Sequence, residues 1–396
     1  MINEQFQIRN HTFQNRVVFQ PMEGCDCNLD GSPSEYTIRK YMKFAEGGAG
    51  LIWFEANGVC PDGLTSPRQM RLTAENLDVF KKLVNDVREK AVKETGVNPQ
   101  LILQLTHSGR QSVERLTMYD NAVYAAQGRS GKIVTDDYLD RLPENYNIST
   151  RLAEEAGFDG IDIKACHGYL LAEAFSAFDR PGKYGGSFEN RTRLYKNCFQ
   201  AAKDAKKSDT LLTARIGLCD MVAKPNGFGT DEDCNIDLSE PIQLVKDLHA
   251  NGLELLNITI GNPYYNPHVN RPYKVGAYTP PEAPEVGLER FRYVTKSIKD
   301  SCPELPVVSS GLSFYRMDML SKGDEMIQDG VCDFAGYGRI ILAYPQFYRD
   351  WLRGNLQAKK LCALCSNCTV LMRNKCIAGC AIHDEIYKEL LKGLKK

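Results

Sequence analysis

Apolar, β-rich runs recur along the chain and alternate with stretches whose apolar residues fall three or four positions apart. Runs of the first kind cover residues 16–21 (RVVFQP), 50–56 (GLIWFEA), Gln100–Thr106 (QLILQLT), 159–165 (DGIDIKA) and Leu211–Gly217 (LLTARIG). A sixth centres on Leu255 and Leu256, a seventh ends at Gly311 and an eighth at Gly338. Such alternation implies parallel strands joined by helical crossovers.

Between the strands the period changes to that of a helix. From Thr73 onward, Leu77, Phe80, Leu83, Val84, Val87 and Ala91 share one face. Ser187 is placed to cap a helix carrying Leu194, Tyr195, Cys198 and Phe199 on one side, and Ser239 with Pro241 opens another at Ile242 that Gly252 closes after Ala250. Eight strands with helices between them predict an α/β fold, a (β/α)8 TIM barrel over residues 1–355, with a short Cys-rich C-terminal appendage at 356–396. A doubly wound sheet is the alternative, weakened because no G-x-G-x-x-G follows the first strand. Residues 108–150, a long polar connection after the third strand, are expected to hold a lid or hairpin.

Composition narrows the class of protein. A chain of 396 residues is two ordinary domains or one large barrel. With 49 basic and 50 acidic residues, no long-range field would hold it on nucleic acid or an anionic membrane. The N-terminus MINEQFQIRN lacks a signal peptide's apolar core and no run of about 18 apolar residues occurs, so a cytoplasmic protein without a membrane span is expected. The 14 cysteines, five of them between Cys362 and Cys380, point to a reducing compartment and to thiols used for metal.

In such a barrel the chemistry sits just past the C-terminal ends of the strands. The densest polar group follows the fourth strand: Lys164, Cys166, His167, Gly168 and Tyr169. Strand alternation sets Asp162 and Lys164 on the face opposite Ile161 and Ile163. Lys164 and His167 offer donors to an oxygen that gains negative charge, and the Tyr169 hydroxyl can deliver a proton. The structural alternative pairs Lys164 with Asp162 and His167 with a backbone carbonyl. In the tail, Cys362-x2-Cys365-x2-Cys368-x11-Cys380 gathers three thiols in a tight turn and a fourth across a short loop. That spacing suits a cubane cluster better than zinc, whose sites usually come as two separated pairs. Zinc and plain reduced thiols stay open, as does the choice of Cys376 or Cys380 as the last ligand.

The stretch GFDGIDIKACHGYLLAEAFSAFDRPGKYGGSFENR at residues 157–191 resembles the fourth-strand signature of the Old Yellow Enzyme family of FMN-dependent oxidoreductases. NRVVFQPM at 15–22, LQLTHSGRQS at 103–112 and GYGRIILAYPQF at 336–347 extend the resemblance in the same order. The cysteine tail is similar to the subgroup that includes 2,4-dienoyl-CoA reductase and trimethylamine dehydrogenase. The resemblance implies that Pro21 and Met22 line the flavin and that Ala56 abuts it. It also implies that Gln104 bonds the flavin's pyrimidine edge, that Arg215 stabilises the anionic reduced form, and that Gly311, Gly338 and Arg339 bind the phosphate. Tyr169 would be the proton donor, and Lys164 with His167 would hold the substrate's carbonyl oxygen. Lys164 replaces the usual His of that pair. Glu23 stands where relatives place Thr or Cys beside the flavin C4 carbonyl, and a carboxylate there opposes reduction unless protonated or paired. A 4Fe-4S cluster on Cys362, Cys365, Cys368 and Cys380 is implied by the same subgroup.

The implied activity is reduction of a C=C bond conjugated to a carbonyl in a small enone or enoate. An amine dehydrogenase or demethylase sending electrons through FMN to the cluster is a second reading, which Lys164 opposes by repelling an ammonium. A non-catalytic FMN and iron-sulfur electron carrier is a third. Larger relatives continue into a second nucleotide-binding domain, and this chain, whose sequence runs to Lys396, is expected to work without one. NAD(P)H is therefore expected to reduce FMN directly, or an external protein to deliver electrons through the cluster. The segment GNPYYNPHVNRPY at 261–273 offers Tyr264, His268 and Arg271 as substrate contacts, against the alternative of a loop simply stiffened by proline. Loops 108–150 and 261–284 would set substrate choice, and a homo-oligomer is expected.

Overall fold

A computed structural model of the chain describes residues 1–273 and 278–394; residues 274–277, inside the loop 261–284, and the tail's last two residues lie outside the described residues. Eight strands close a parallel barrel: β1 (Val17–Phe19), β2 (Leu51–Gly58), β3 (Gln100–Thr106), β4 (Gly160–Ala165), β5 (Leu211–Gly217), β6 (Leu255–Thr259), β7 (Val307–Ser309) and β8 (Phe334–Tyr337). Each strand lies beside its successor, and β8 returns to β1 with Ala335 opposite Val17. Every one falls on an expected run, and the doubly wound alternative is excluded.

The connecting helices follow their apolar faces. Helix α1 (Glu35–Ala45) follows β1, and α2 (Leu77–Thr95) buries all six residues of its expected stripe before ending at left-handed Gly96. Between Ser108 and Thr150 the sequence reading needs correction. The two-residue strands Leu116–Thr117 and Lys132–Ile133 pair in parallel, so no hairpin forms, and α3 (Asp136–Glu155) begins inside this stretch. Thr135 caps α3, whose buried Leu139, Leu142, Tyr146 and Ala153 are diluted in sequence by charges and by Pro143.

Helix α4 (Phe188–Ala205) is capped by Ser187 and buries Leu194, Tyr195, Cys198 and Phe199, as expected. Helix α5 (Ser239–Ala250) starts at Ser239 rather than at Ile242. Pro241 sits in its first turn, where a missing N–H leaves no helical hydrogen bond unmade. Helices α6 (Pro284–Ser301) and α7 (Met319–Gln328) complete the layer. In the tail, α8 (Asn367–Arg373) and α9 (Glu385–Gly393) share a small core of Leu371, Ala381, Tyr387 and Leu391. Ala378 N–H donates to Gly24 O at 2.7 Å, and Asp384 pairs with Arg39 and Lys43 of α1, which docks the tail on the barrel.

The barrel interior changes character along its axis. At the base, Val18, Leu51, Trp53, Ile102, Leu211, Leu255, Val308 and Phe334 form an apolar layer. An N-terminal hairpin (Phe6–Ile8 with His11–Phe13) closes it from below, the Phe6 and Phe13 rings each 5.0 Å from Phe334. Two residues further up β1, β3 and β6, the inward positions are Gln20, Gln104 and Asn257, with Asp162 of β4 at the same level; all four are buried. The apolar base supplies stability, and the polar upper half faces the open end. Among the described residues, no helix is long and apolar enough to cross a membrane.

Candidate active site

Asp162 organises the floor of a pocket at the C-terminal end of the barrel. Its carboxylate accepts from Trp53 Nε1 at 2.9 Å, Gln104 Nε2 at 2.7 Å and the Arg215 backbone N–H at 2.6 Å. Burial pushes this carboxyl up to about 6, and the three donors restrain the rise. Gln104, its amide nitrogen engaged, keeps its carbonyl oxygen for a partner in the pocket, while Arg215 stands beside it. Gln20 Nε2 donates to Asn257 Oδ1 and Ser310 Oγ, each at 3.1 Å, and completes the floor.

Past β4 the chain turns sharply. His167 and Gly168 have φ of 64° and 66°, and a Cβ on Gly168 would lie 2.2 Å from Asn262 Nδ2. A histidine in this left-handed region costs roughly 1 kcal/mol, held here by the surrounding structure. The turn brings Lys164, His167 and Tyr169 to one pocket. Neither alternative pairing forms: Lys164 Nζ lies 3.9 Å from the Tyr169 ring centroid rather than on Asp162, and His167 Nε2 is buried without a partner. Burial, reinforced by Arg215, Lys164 and Arg271, pushes the imidazole well below its usual value, so it is neutral near pH 7. Burial lowers Lys164 as well.

Tyr169 is 2% exposed, and burial, followed by the Glu23 charge, holds its phenol well above the ordinary value. Its hydroxyl donates to Glu23 Oε2 at 3.0 Å and lies 3.4 Å from the Tyr264 hydroxyl. The other Glu23 oxygen accepts from Thr65 Oγ1 at 2.6 Å. Both Glu23 oxygens thus accept from hydroxyl groups, without a cationic partner among the described residues.

A buried charge cluster anchors the segment that carries Pro21, Met22 and Glu23. Lys40 Nζ lies 2.8 Å from Asp26 Oδ2 and 2.6 Å from Glu55 Oε1, and Glu55 Oε2 accepts from Gly24 N–H at 2.6 Å. Two carboxylates share one ammonium. Lys40 stays charged, whereas burial pushes Glu55 up to about 7.

Pro21, Met22, Glu23, Ala56, Gln104, Arg215, Gly311, Gly338 and Arg339 all line the same pocket, together with Tyr264 and Arg271. His268 does not: its Nδ1 lies 2.6 Å from Tyr278 Oη and its Nε2 3.9 Å from Glu282. Arg215 Nε, Arg271 Nε and Arg339 Nη1 are buried without partners, like His167 Nε2. Unpaired cationic donors above a polar floor fit a ligand with a phosphate and ring carbonyls. Gly311, at φ 89°, and Gly338 with Arg339 end β7 and β8, the phosphate position of many barrels. The residues present thus fit FMN. Gln20, Ser310, Thr369 and Met372 also line the pocket. Of these, only Gln20 carried a sequence signal, as the inward position two beyond Val18.

In the tail, Leu364 N–H points at Cys362 Sγ (3.4 Å) from a left-handed residue, φ 58°. Burial pushes the Cys380 thiol up to about 11, with backbone N–H groups of Ile382 and His383 pulling it down. Cys362 and Cys368 lie within electrostatic reach of Cys380, while Cys376 turns to Asn374 O at 3.7 Å. Among the described residues no three tail sulfurs lie within 4.8 Å of one another.

Residues 2–350 match the NADH:flavin oxidoreductase / NADH oxidase family. NADPH dehydrogenase of Clostridium acetobutylicum is 25% identical over 352 residues, covering 87% of this chain and 93% of that protein. Cinnamate reductase of Clostridium sporogenes is 27% identical over 406 residues, covering 97% of this chain and 57% of that one. In fold, the chain is similar to a 2-naphthoyl-CoA reductase complex (TM-score 0.80, 18% identity, 98% of this chain and 57% of that one). It is also similar to the Old Yellow Enzyme homologue from Zymomonas mobilis (TM-score 0.66, 20% identity, 89% and 92%). The chain spans little more than half the length of the longer relatives and nearly all of the shorter ones. Because the match runs through all eight strands and the loops that build the pocket, the chain belongs to the NADH:flavin oxidoreductase / NADH oxidase family, the Old Yellow Enzyme family of FMN-dependent oxidoreductases.

Proposed function

We propose that this protein reduces the C=C bond of an α,β-unsaturated carbonyl compound, with NAD(P)H as the source of electrons. One observation carries the reading: a buried phenol, Tyr169, shares a pocket with the unpartnered His167 Nε2 and with Lys164, above the Gln104–Asp162–Arg215 floor. FMN, when bound, supplies a hydride to the β-carbon. As the carbonyl oxygen gains charge, Lys164 and His167 offer N–H donors in a site where burial strengthens them. Tyr169 keeps its proton until the α-carbon takes it, and Lys164 beside the ring stabilises the phenolate left behind. Lys164, Arg215 and Arg271 together oppose an ammonium substrate, which disfavours amine oxidation.

The Cys-x2-Cys-x2-Cys-x11-Cys spacing, with backbone N–H groups facing Cys362 and Cys380, supports a 4Fe-4S cluster on Cys362, Cys365, Cys368 and Cys380. Such a cluster would accept single electrons from an external donor protein. None of the 14 cysteines is in a disulfide, which leaves the four tail thiols available as ligands. The test is Tyr169→Phe. Enone reduction should slow by about 10²- to 10⁴-fold, whereas anaerobic flavin reduction by NAD(P)H, which takes no proton from Tyr169, continues. Unchanged enone turnover would overturn the proton-donor assignment.

A further inference from the structure

Beside Tyr264, which lines the pocket, stand two arginines that neither the flavin nor the enone reaction needs. The Tyr264 hydroxyl lies 3.4 Å from that of Tyr169. The Arg129 guanidinium lies 5.7 Å from the Tyr264 ring centroid and that of Arg373 lies 6.0 Å from it. Arg129 comes from the loop between the two short parallel strands and Arg373 ends α8, so two distant segments converge on one ring. Arg129 Nη1 is buried without a partner, while Arg373 donates to Pro263 O. Neither forms an ion pair with any carboxylate among the described residues. Glu23, the acid facing Tyr264, is already engaged by Tyr169 and Thr65.

Two guanidinium groups near each other without a counter-charge repel, and burial together with Arg373 lowers Arg129 below its usual value. An anion between them would remove that cost and occupy the unpartnered donor. The FMN phosphate would not be that anion, because Gly311, Gly338 and Arg339 would hold it at the ends of β7 and β8. The proton donor lies one ring-width away, with the Tyr169 and Tyr264 centroids 6.4 Å apart. We propose that Arg129 and Arg373 bind a carboxylate on the substrate, remote from its C=C bond, beside Tyr264. The inference rests on the enone-reductase reading and narrows it to substrates with an acidic far end. It also gives the appendage a role at the pocket, since α8 carries Thr369 and Met372 into its lining and the exposed Arg373 to the Tyr264 ring.

A matched pair of probes tests it: 4-carboxybenzylideneacetone, with an enone at one end of a benzene ring and a carboxylate at the other, and its methyl ester. Dissociation constants come from the change in flavin absorbance of the oxidised holoenzyme, without turnover, and kcat/KM comes from a separate assay. The acid should bind at least tenfold more tightly than the ester, and added salt should erode the advantage. In Arg129→Gln and in Arg373→Gln the acid-over-ester ratio should fall towards one. Equal affinities for acid and ester, or a ratio unchanged in both variants, overturn the inference. If the variants weaken NADPH relative to NADH while the ratio persists, the anion is the nucleotide's 2′-phosphate and the inference is equally overturned. Tight acid binding with no reduction of either probe would leave the carboxylate site standing and defeat the reaction class instead.

Discussion

Replacing Lys40 by Met removes the one cation between Asp26 and Glu55 and tests how the flavin-facing loop is held. Both carboxylates are buried, and Glu55 also carries the Gly24 N–H, so the variant strands two acids in the core. Breaking a buried pair in this way costs about 3–5 kcal/mol. With an unfolding entropy of about 2.1 cal/mol/K per residue over roughly 350 residues, each kcal/mol corresponds to about 1.4 °C, so Tm should fall by about 4–7 °C. The loss should depend on pH. Glu55 titrates higher in the folded chain (about 7) than its ordinary 4.5, so the native state binds the extra proton and the stability Glu55 contributes declines as pH rises through that window. Without Lys40 the window reaches higher, so the defect should be larger at pH 8 than at pH 5.5. Adding Glu55→Gln should recover part of it. Thermal unfolding followed by circular dichroism at both pH values measures the effect. A loss below about 1 kcal/mol, or a defect that shrinks as pH rises, would refute the idea that this ammonium holds the loop.

Three further outcomes are expected. Arg339→Gln should weaken FMN binding by about 10- to 100-fold through loss of one charge-assisted contact, read from the fluorescence of released flavin. Cys380→Ala should lose iron and sulfide in anaerobically purified protein while Cys376→Ala keeps both; the opposite result would reassign the fourth ligand. Gly168→Ala must fit a Cβ against Asn262 in a left-handed turn, so it should lower both Tm and enone turnover, whereas full activity would show that the turn can relax.

The barrel was legible because buried parallel strands leave compact apolar runs and their helices leave stripes such as Leu77 to Ala91. The turn after β4 was legible for a different reason: Lys164, His167 and Tyr169 sit within six residues of one another. What stayed hidden depends on distance along the chain. Asp26, Lys40 and Glu55 meet across separate elements, and no period links them. Glu23 read as a liability because its partners, Tyr169 and Thr65, come from other loops. Helix α3 was obscured by its charges and Pro143, and the base-closing hairpin by strands only three residues long. His268 showed the limit of reading by loop, since sharing a segment with Tyr264 and Arg271 did not aim it at the same pocket.

The chain has two tryptophans, and the fold treats them differently. Trp53 stands inside the barrel, bonded to the carboxylate that also holds Gln104 and Arg215. Trp351 lies outside, stacked on Tyr348. Trp53 is therefore a fluorophore at the floor of the pocket proposed for FMN, and energy transfer should quench it when the cofactor arrives. In a Trp351→Phe background, its emission would report cofactor loading and release in real time, without any label.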